Sequence, residues 1–430
     1  MKKINVLVFP CGSVTAMDIN FSLRHALRIN LFGASSIDDH GKYIYKNYIG
    51  NVPNIAESNF IDEFERIIKE NNIDYVIPTH DSVALCLIEN QDKLSAQIIT
   101  ADLETTKICR YKSLTYSRLE RYGFVPERYT KDFERLEYPV YLKPDDGQGG
   151  KDSYVIDTYN DLIYYLERCP NHLICEYLPG DEVTVDCFTD RFGNLRFTIA
   201  RSRERLLAGV SVHAKILPVD KTIEDIAKSI NESLKFRGYW YFQLKKDREG
   251  IYKLLEISTR LAGTACLTKQ LDVNFPLLSI LDFSGEDIAI SPNHMDIEVD
   301  RALFGRYNLG IAYDSVYIDL DDTLIFSNGE YNSLAMMYLY QCLNKGIEII
   351  LITKHEGDLN EYLSNSSLST SLFSDIIHLR ETELKYQHID VKKNPIFIDN
   401  SFTERLSVRK HLNIPCFDVS NIECLLDWRG

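Results

Sequence analysis

The segment Val316-Tyr317-Ile318-Asp319-Leu320-Asp321-Asp322-Thr323-Leu324 constrains the fold around it more than any other stretch of the chain. An apolar run reads as a buried strand, and two carboxylates two residues apart leave its end. Like charges at that range repel. They persist around a divalent cation, or as an acid/base pair whose proton affinities are pushed apart. In open α/β sheets ligands gather at the carboxyl ends of strands, where this pair sits. A solvated turn capping the next helix would carry the same residues, but three later elements argue for chemistry. Ile350-Leu351-Ile352-Thr353 ends a second apolar strand in a hydroxyl, Lys385 follows in a polar stretch, and Ile396-Phe397-Ile398-Asp399-Asn400 ends another strand in a carboxylate. Strands Ser315–Asp319, Glu348–Thr353 and Pro395–Asp399, with a helix over Tyr331–Lys345, predict a parallel sheet.

Over residues 313–430 this order resembles the haloacid-dehalogenase-type phosphohydrolases, in their D-x-D-x-T phosphatase form. The resemblance implies a Rossmann-like domain with a minimal cap, because the stretch from Thr353 to Lys385 is short. It implies Asp319 as nucleophile and Asp321 as general acid/base, with Thr353 and Lys385 on the phosphoryl oxygens. Asp399, Asp319 and the backbone carbonyl of Asp321 would hold Mg²⁺. Asn400 stands where the family often has a second acid, and Glu404 is the candidate to compensate. Lys392 and Lys393 are fallbacks for the lysine role.

A second constellation lies in the middle of the chain. Tyr138–Lys143 reads as a strand ending in lysine, followed by Asp145-Asp146-Gly147-Gln148-Gly149-Gly150-Lys151. Glycines at this density expose backbone N–H groups and suit a flap over phosphates, though the spacing is neither that of the Walker loop nor that of the dinucleotide fingerprint. Strands are expected over His172–Tyr177, Glu182–Thr189, Leu195–Ala200 and Tyr252–Ile257, with Asp190–Asn194 as a hairpin turn. Lys112–Tyr122 reads as helix.

Lysine, glycine flap, Glu176 through Gly180 to Glu182, Gln243, then Glu256-Ile257-Ser258-Thr259-Arg260: over residues 105–300 this order resembles an ATP-grasp domain. Residues 1–104 are similar to the α/β domain that precedes it in carbamoyl-phosphate-synthase-like carboxylate–amine ligases. The resemblance implies that Lys112, Lys143 and the flap Gly147, Gly149 and Gly150 meet ATP phosphates. Glu176, Tyr177 and Leu178 would line the adenine, and Glu182 would accept from the ribose. Gln243, Glu256 and Ser258 would hold Mg²⁺ (or Mn²⁺), Ser258 standing where the family has Asn. Arg260, with Arg203 or Arg205, would stabilise the γ-phosphoryl group and an acylphosphate. His213 and Lys215 add to the cationic lining, and Thr79-His80-Asp81-Ser82 could line an acceptor pocket or simply cap a helix.

The first 104 residues alternate strand and helix: Ile4–Phe9, an amphipathic segment Met17–Ile29, helix Phe60–Lys69 and strand Asp74–Pro78. That pattern predicts a parallel α/β sheet, with Gly12 in a tight strand-to-helix turn. The expected fold class is thus a multidomain α/β and α+β chain: a pre-ATP-grasp domain over 1–104, an ATP-grasp domain over 105–300 and a third domain over 313–430, joined by a connector at Arg301–Tyr313.

Lys+Arg 48 against Asp+Glu 63 gives a net charge of −15, which disfavours nucleic acid and anionic membranes. The run after Met1-Lys2-Lys3 is too short for a signal-peptide core, no apolar run reaches membrane-helix length, and the ten cysteines form no C-x-x-C pair. A cytoplasmic enzyme is expected, and a homodimer is compatible with it. The expected partners are a small carboxylate, an amine and a small phosphate ester. The leading expectation is a bifunctional enzyme, an ATP-dependent carboxylate–amine ligase fused to a phosphomonoesterase, with both sites serving one metabolite. The alternatives are a phosphotransferase of the same fold and a nucleotide-binding regulator with degenerate metal sites.

Overall fold

A computed structural model describes residues 3–147, 149–207, 210–307 and 309–429. Gln148 of the expected flap, and Met1 and Lys2, lie outside the described residues. The chain separates into two compact units, Met1–Leu303 and Phe304–Trp428.

The first unit opens with β1 (Ile4–Phe9), α1 (Val14–Leu23), β2 (Ile29–Ala34), β3 (Asn47–Ile49), α2 (Phe60–Glu70), β4 (Tyr75–Pro78), α3 (Asp81–Glu89) and β5 (Gln97–Ile98). The five strands pair in parallel in the order β3-β2-β1-β4-β5. Val6, Leu7 and Val8 are fully buried, as strands covered on both faces require. Helix α2 buries Phe60, Phe64, Ile67 and Ile68, one helical stripe, and Phe64 packs 5.1 Å from the Phe9 ring. The helix expected within Met17–Ile29 stops at Leu23. Ile29 instead begins β2, whose pairing with β1 from Ile4↔Ile29 to Val8↔Gly33 overrides the helical periodicity.

Helices α4 (Leu103–Arg110) and α5 (Lys112–Leu119) lead to a four-stranded antiparallel sheet of β6 (Arg128–Tyr129), β7 (Val140–Pro144), β8 (Tyr154–Ile156) and, after α6 (Tyr159–Arg168), β9 (His172–Glu176). Its order is β6-β9-β7-β8. A larger antiparallel sheet follows: β10 (Glu182–Thr189), β11 (Leu195–Ser202), β12 (Arg205–Leu207), β13 (Val210–Leu217), α7 (Lys221–Ser233), β14 (Gly238–Lys246) and β15 (Tyr252–Ser258), then α8 (Cys266–Gln270), α9 (Phe275–Phe283) and β16 (Glu298–Asp300). The strand order is β12-β13-β11-β10-β14-β15, with β16 on β13.

The two-residue period of this sheet separates core from site. Val183, Val185 and Cys187 on β10 pack with Phe242 and Leu244 of β14 against Ile223, Ile226 and Ile230 of α7. The intervening residues face the other way. There the register aligns Arg201, Thr184, Gln243 and Glu256 in one row across four strands, and Asp186, Tyr241 and Ser258 in the next.

The second unit contains β17 (Ser315–Ile318), α10 (Ser333–Asn344), β18 (Glu348–Thr353), α11 (Leu359–Asn365), β19 (Asp375–His378), β20 (Pro395–Ile398), α12 (Phe402–Leu412) and β21 (Cys416–Phe417). All five strands are parallel, in the order β19-β18-β17-β20-β21. With β18 and β20 flanking β17, the segments after three adjacent strands emerge at one edge of the sheet.

All ten cysteines are free. No helix among the described residues is long and apolar enough to cross a membrane.

Candidate functional site

The first unit contains a cavity of about 590 Å³ lined by the polar row of the large sheet, by β7 and β9 of the small one, and by the turns after β1 and β4. Lys112, Lys143, Gly147, Gly149, Gly150, Glu176, Tyr177, Leu178, Glu182, Arg203, Gln243, Glu256 and Arg260 all reach it. Gly149 and Gly150 adopt φ of 60° and 71°, the left-handed conformation that glycine takes without strain.

Lys143 is 5% exposed, and its Nζ donates to the Tyr116 hydroxyl at 2.6 Å. That hydroxyl in turn donates to the Leu255 carbonyl at 2.6 Å. Burial pushes the Lys143 pKa down, and Lys112 adds to the effect. An ammonium held by a phenol, with no hydrogen-bonded carboxylate among the described residues, suits an anionic ligand. Lys112 Nζ donates to the Gly147 carbonyl at 2.8 Å and lies 3.9 Å from Glu256 Oε2, which ties the flap to the sheet.

Arg203 pairs with Glu182 at 2.7 Å. With the Gln243 amide turned to satisfy both its ends, Gln243 accepts from Arg203 Nη1 at 2.6 Å and donates to Glu256 Oε1 at 3.3 Å. Arg201, 1% exposed, also lines the cavity and donates to both oxygens of Asp186 at 2.5 and 2.9 Å, and to the Thr264 hydroxyl. Arg260 Nε donates to Asp81 Oδ2 at 2.8 Å, and the Ser258 hydroxyl donates to Asp81 Oδ1 at 2.5 Å. Ser258 thus meets a neighbouring carboxylate, and Asp81, the first residue of α3, has a partner role that its expected place in a helix cap did not suggest. Thr79 and His80 line the cavity beside it.

Arg205 requires a correction: it does not reach the cavity. Strand β11 ends at Ser202, and the register of β12 on β13 shifts between Arg205 and Leu206, so Arg205 makes an exposed ion pair with Asp300 at 2.6 Å. His213 and Lys215 also lie off the cavity, beside Glu204 and Glu298.

The second unit collects its polar residues at the carboxyl edge of the sheet. Lys385, 3% exposed, donates from Nζ to Asp319 Oδ1 and Asp399 Oδ2, both at 2.6 Å. Burial pushes the Asp319 pKa up to about 6; Lys385 opposes that rise and Asp399 adds to it. Burial also raises Asp399 against the pull of Lys385. Burial alone would lower Lys385, but its two carboxylates outweigh that and raise it. Thr353 Oγ1 donates to Asp321 Oδ2 at 3.4 Å, and His355 Nδ1 lies 2.8 Å from Asp321 Oδ1. The His355 ring packs 4.2 Å from Tyr362. His355 was not among the expected site residues; only its place two positions after Thr353, in the turn that leaves β18, marks it in the sequence.

Glu404 is held by Lys354 at 2.8 Å, and the Asn400 backbone N–H donates to the Thr323 hydroxyl at 3.2 Å. Lys393 pairs with Glu348 at 2.6 Å, at the strand end opposite the site, and Lys392 is exposed. Among the described residues no three His, Cys, Asp or Glu side chains are gathered closely enough to hold a metal ion by themselves. The oxygen donors that could take part in one are Gln243 and Glu256 in the first unit, and Asp319 and Asp399 in the second.

A family model described as ATP-grasp in the biosynthetic pathway with Ter operon matches residues 168–302. A carbamoyl-phosphate synthase of Methanobrevibacter smithii is 25% identical over 285 residues, covering 56% of this chain and 76% of that protein. Among solved structures, the biotin carboxylase domain of Hydrogenobacter thermophilus 2-oxoglutarate carboxylase, in complex with MgADP, ADP and bicarbonate, superposes with TM-score 0.56 at 14% identity, over 68% of this chain and 72% of that one. An L-amino acid ligase from Bacillus licheniformis gives TM-score 0.51 at 17% identity, over 65% and 74%. The chain contains an ATP-grasp fold.

Proposed function

We propose that the first unit is an ATP- and magnesium-dependent ligase that joins a small carboxylate to an amine, and that the second unit hydrolyses a phosphate monoester. The observation that carries the first half is the cavity on which Lys112, Lys143, Arg203, Arg260 and the Gln243–Glu256 pair converge. The M. smithii carbamoyl-phosphate synthase and the two structural neighbours support the same class of chemistry.

In this reading Lys112, Lys143 and the flap bind the phosphates of ATP, and Glu176–Leu178 and Glu182 hold the nucleoside. A carboxylate oxygen attacks the γ-phosphorus, the bond to the bridging oxygen breaks, and ADP leaves with the electron pair. Arg260 and Arg203 offset the charge that two anions bring together. The amine then attacks the acyl carbon, inorganic phosphate departs, and the amine loses a proton. Gln243 and Glu256 are the residues that would hold Mg²⁺, which when bound screens the phosphate charge. Gln243 can supply its one amide oxygen and Glu256 one or both carboxylate oxygens.

In the second unit Asp319 attacks phosphorus, and Asp321 protonates the departing ester oxygen and later activates water. Thr353 and Lys385 hold the phosphoryl oxygens; Asp319, Asp399 and the Asp321 carbonyl would hold Mg²⁺. The support is the shared grip of Lys385 on Asp319 and Asp399.

An ADP-release screen against amino acids and other small carboxylates, followed by mass analysis of the product, tests the ligase. An amide or peptide product formed one-to-one with ADP is expected. A phosphorylated carboxylate or alcohol as the final product would instead point to a phosphotransferase.

A further inference from the structure

In the row Arg201–Thr184–Gln243–Glu256, three of the four side chains have partners. Arg201 is held by Asp186, Gln243 by Arg203 and Glu256, and Glu256 also approaches Lys112. Thr184 is the exception. It is 1% exposed, lines the cavity, and its Oγ1 has no hydrogen-bond partner among the described residues. A buried hydroxyl left without a partner destabilises the ligand-free protein, and a ligand oxygen in the cavity would complete it.

The neighbourhood indicates the ligand's chemistry. Thr184 sits directly between Arg201 and Gln243 in the register, with Arg203 spanning Glu182 and Gln243 beside it. A hydroxyl in a cationic setting is a donor to an anionic oxygen. Ser258, one row away on β15, is already committed to Asp81 and has no proton to spare for a ligand.

We propose that Thr184 is a binding residue of this cavity, its hydroxyl donating to a phosphoryl oxygen of the bound nucleotide. The proposal rests on the nucleotide reading of the cavity given above. It adds to that reading a donor from the middle of β10 that the motif order did not single out.

The test is calorimetric titration of the full chain with ADP in the presence of Mg²⁺, alongside thermal melts of the ligand-free proteins. Thr184→Val matches threonine in shape and removes only the hydroxyl; Thr184→Ser keeps the hydroxyl. A hydrogen bond to a charged group predicts that Thr184→Val loses about tenfold or more in ADP affinity, while Thr184→Ser stays within about threefold of the parent chain. The ligand-free Thr184→Val chain should melt no lower than the parent, because it no longer buries an unsatisfied group. Equal ADP affinity for Thr184→Val and the parent would overturn the proposal, leaving water as the hydroxyl's partner. Equal losses in both variants would overturn it in favour of packing. A parent chain that fails to bind ADP at all would overturn the nucleotide reading, and the proposal with it.

Discussion

Asp81 holds Arg260 with Nε to Oδ2 at 2.8 Å, although the two residues lie 179 positions apart in the chain. The other Asp81 oxygen accepts from Ser258, so one carboxylate from α3 fixes both polar side chains at the end of β15. Burial pushes the Asp81 carboxyl up, but Arg260 and the Ser258 hydroxyl outweigh it and hold its pKa below the usual range. In the ligase reading Asp81 is a positioning residue that keeps Arg260 aimed at the transferring phosphoryl group. Asp81→Ala should lower kcat for ADP release by about tenfold or more, the cost of a misplaced charged group. ADP affinity should change by less than about threefold. Steady-state kinetics together with calorimetric titration check this; a loss confined to ADP affinity would contradict it.

Lys143 gives a second prediction. Its ammonium is buried against Tyr116, so removing the charge relieves a desolvation cost in the ligand-free protein while taking away a phosphate partner. Lys143→Met should melt no lower than the parent chain and lose at least about tenfold in ADP affinity. Because burial lowers this pKa from its usual value, parent affinity should weaken as pH rises through the lowered value and before it reaches the ordinary lysine range. Titrations at rising pH, ending below the ordinary lysine range, should show that slope, and Lys143→Met should flatten it.

Much of this arrangement was legible in the sequence, for a physical reason. Motifs such as Asp319-Leu320-Asp321 and Glu256 through Arg260 are local: a strand end brings their side chains to one edge whatever surrounds them. The alternation on β10 and β14 likewise separates Val183 and Val185 from Thr184. What stayed hidden is non-local. Nothing near Ser258 announces that Asp81 will claim its hydroxyl. Arg205 has the same strand parity as Arg203, but the break after Ser202 sends it to Asp300. Helix α1 was overestimated for the same reason, since only pairing with β1 turns Ile29 into a strand residue. Thr184 looks like any polar residue on a half-buried strand until its hydroxyl is found without a partner.

The raised Asp319 pKa predicts a pH dependence of stability. Folding lifts this carboxyl from 3.8 to about 6, so between those values the native state binds more protons than the unfolded one. Its contribution is therefore fully present below pH 3.8 and is lost as pH rises toward 6. Asp319→Asn mimics the protonated form at all pH values. In chelator, the melting temperature of the second unit's transition in this variant should equal or exceed the parent's at pH 7.5, with the difference closing near pH 4. A variant less stable than the parent at pH 7.5 would show that Lys385 draws more from Asp319 than burial costs.

His355 touches Asp321 and packs on Tyr362, so it orients the residue assigned as general acid. His355→Ala should lower kcat toward a generic aryl phosphate by about tenfold, while KM changes by less than about threefold. Steady-state rates with para-nitrophenyl phosphate provide the check.

The central claim is that the first unit makes an acylphosphate, and hydroxylamine capture tests it most directly. In the Asp319→Asn chain, which removes the proposed phosphatase nucleophile, MgATP and an accepted carboxylate should yield a hydroxamate in one-to-one ratio with ADP, and Arg260→Ala should abolish both. ADP formed with no hydroxamate, across carboxylates that stimulate ATP turnover, would contradict the account.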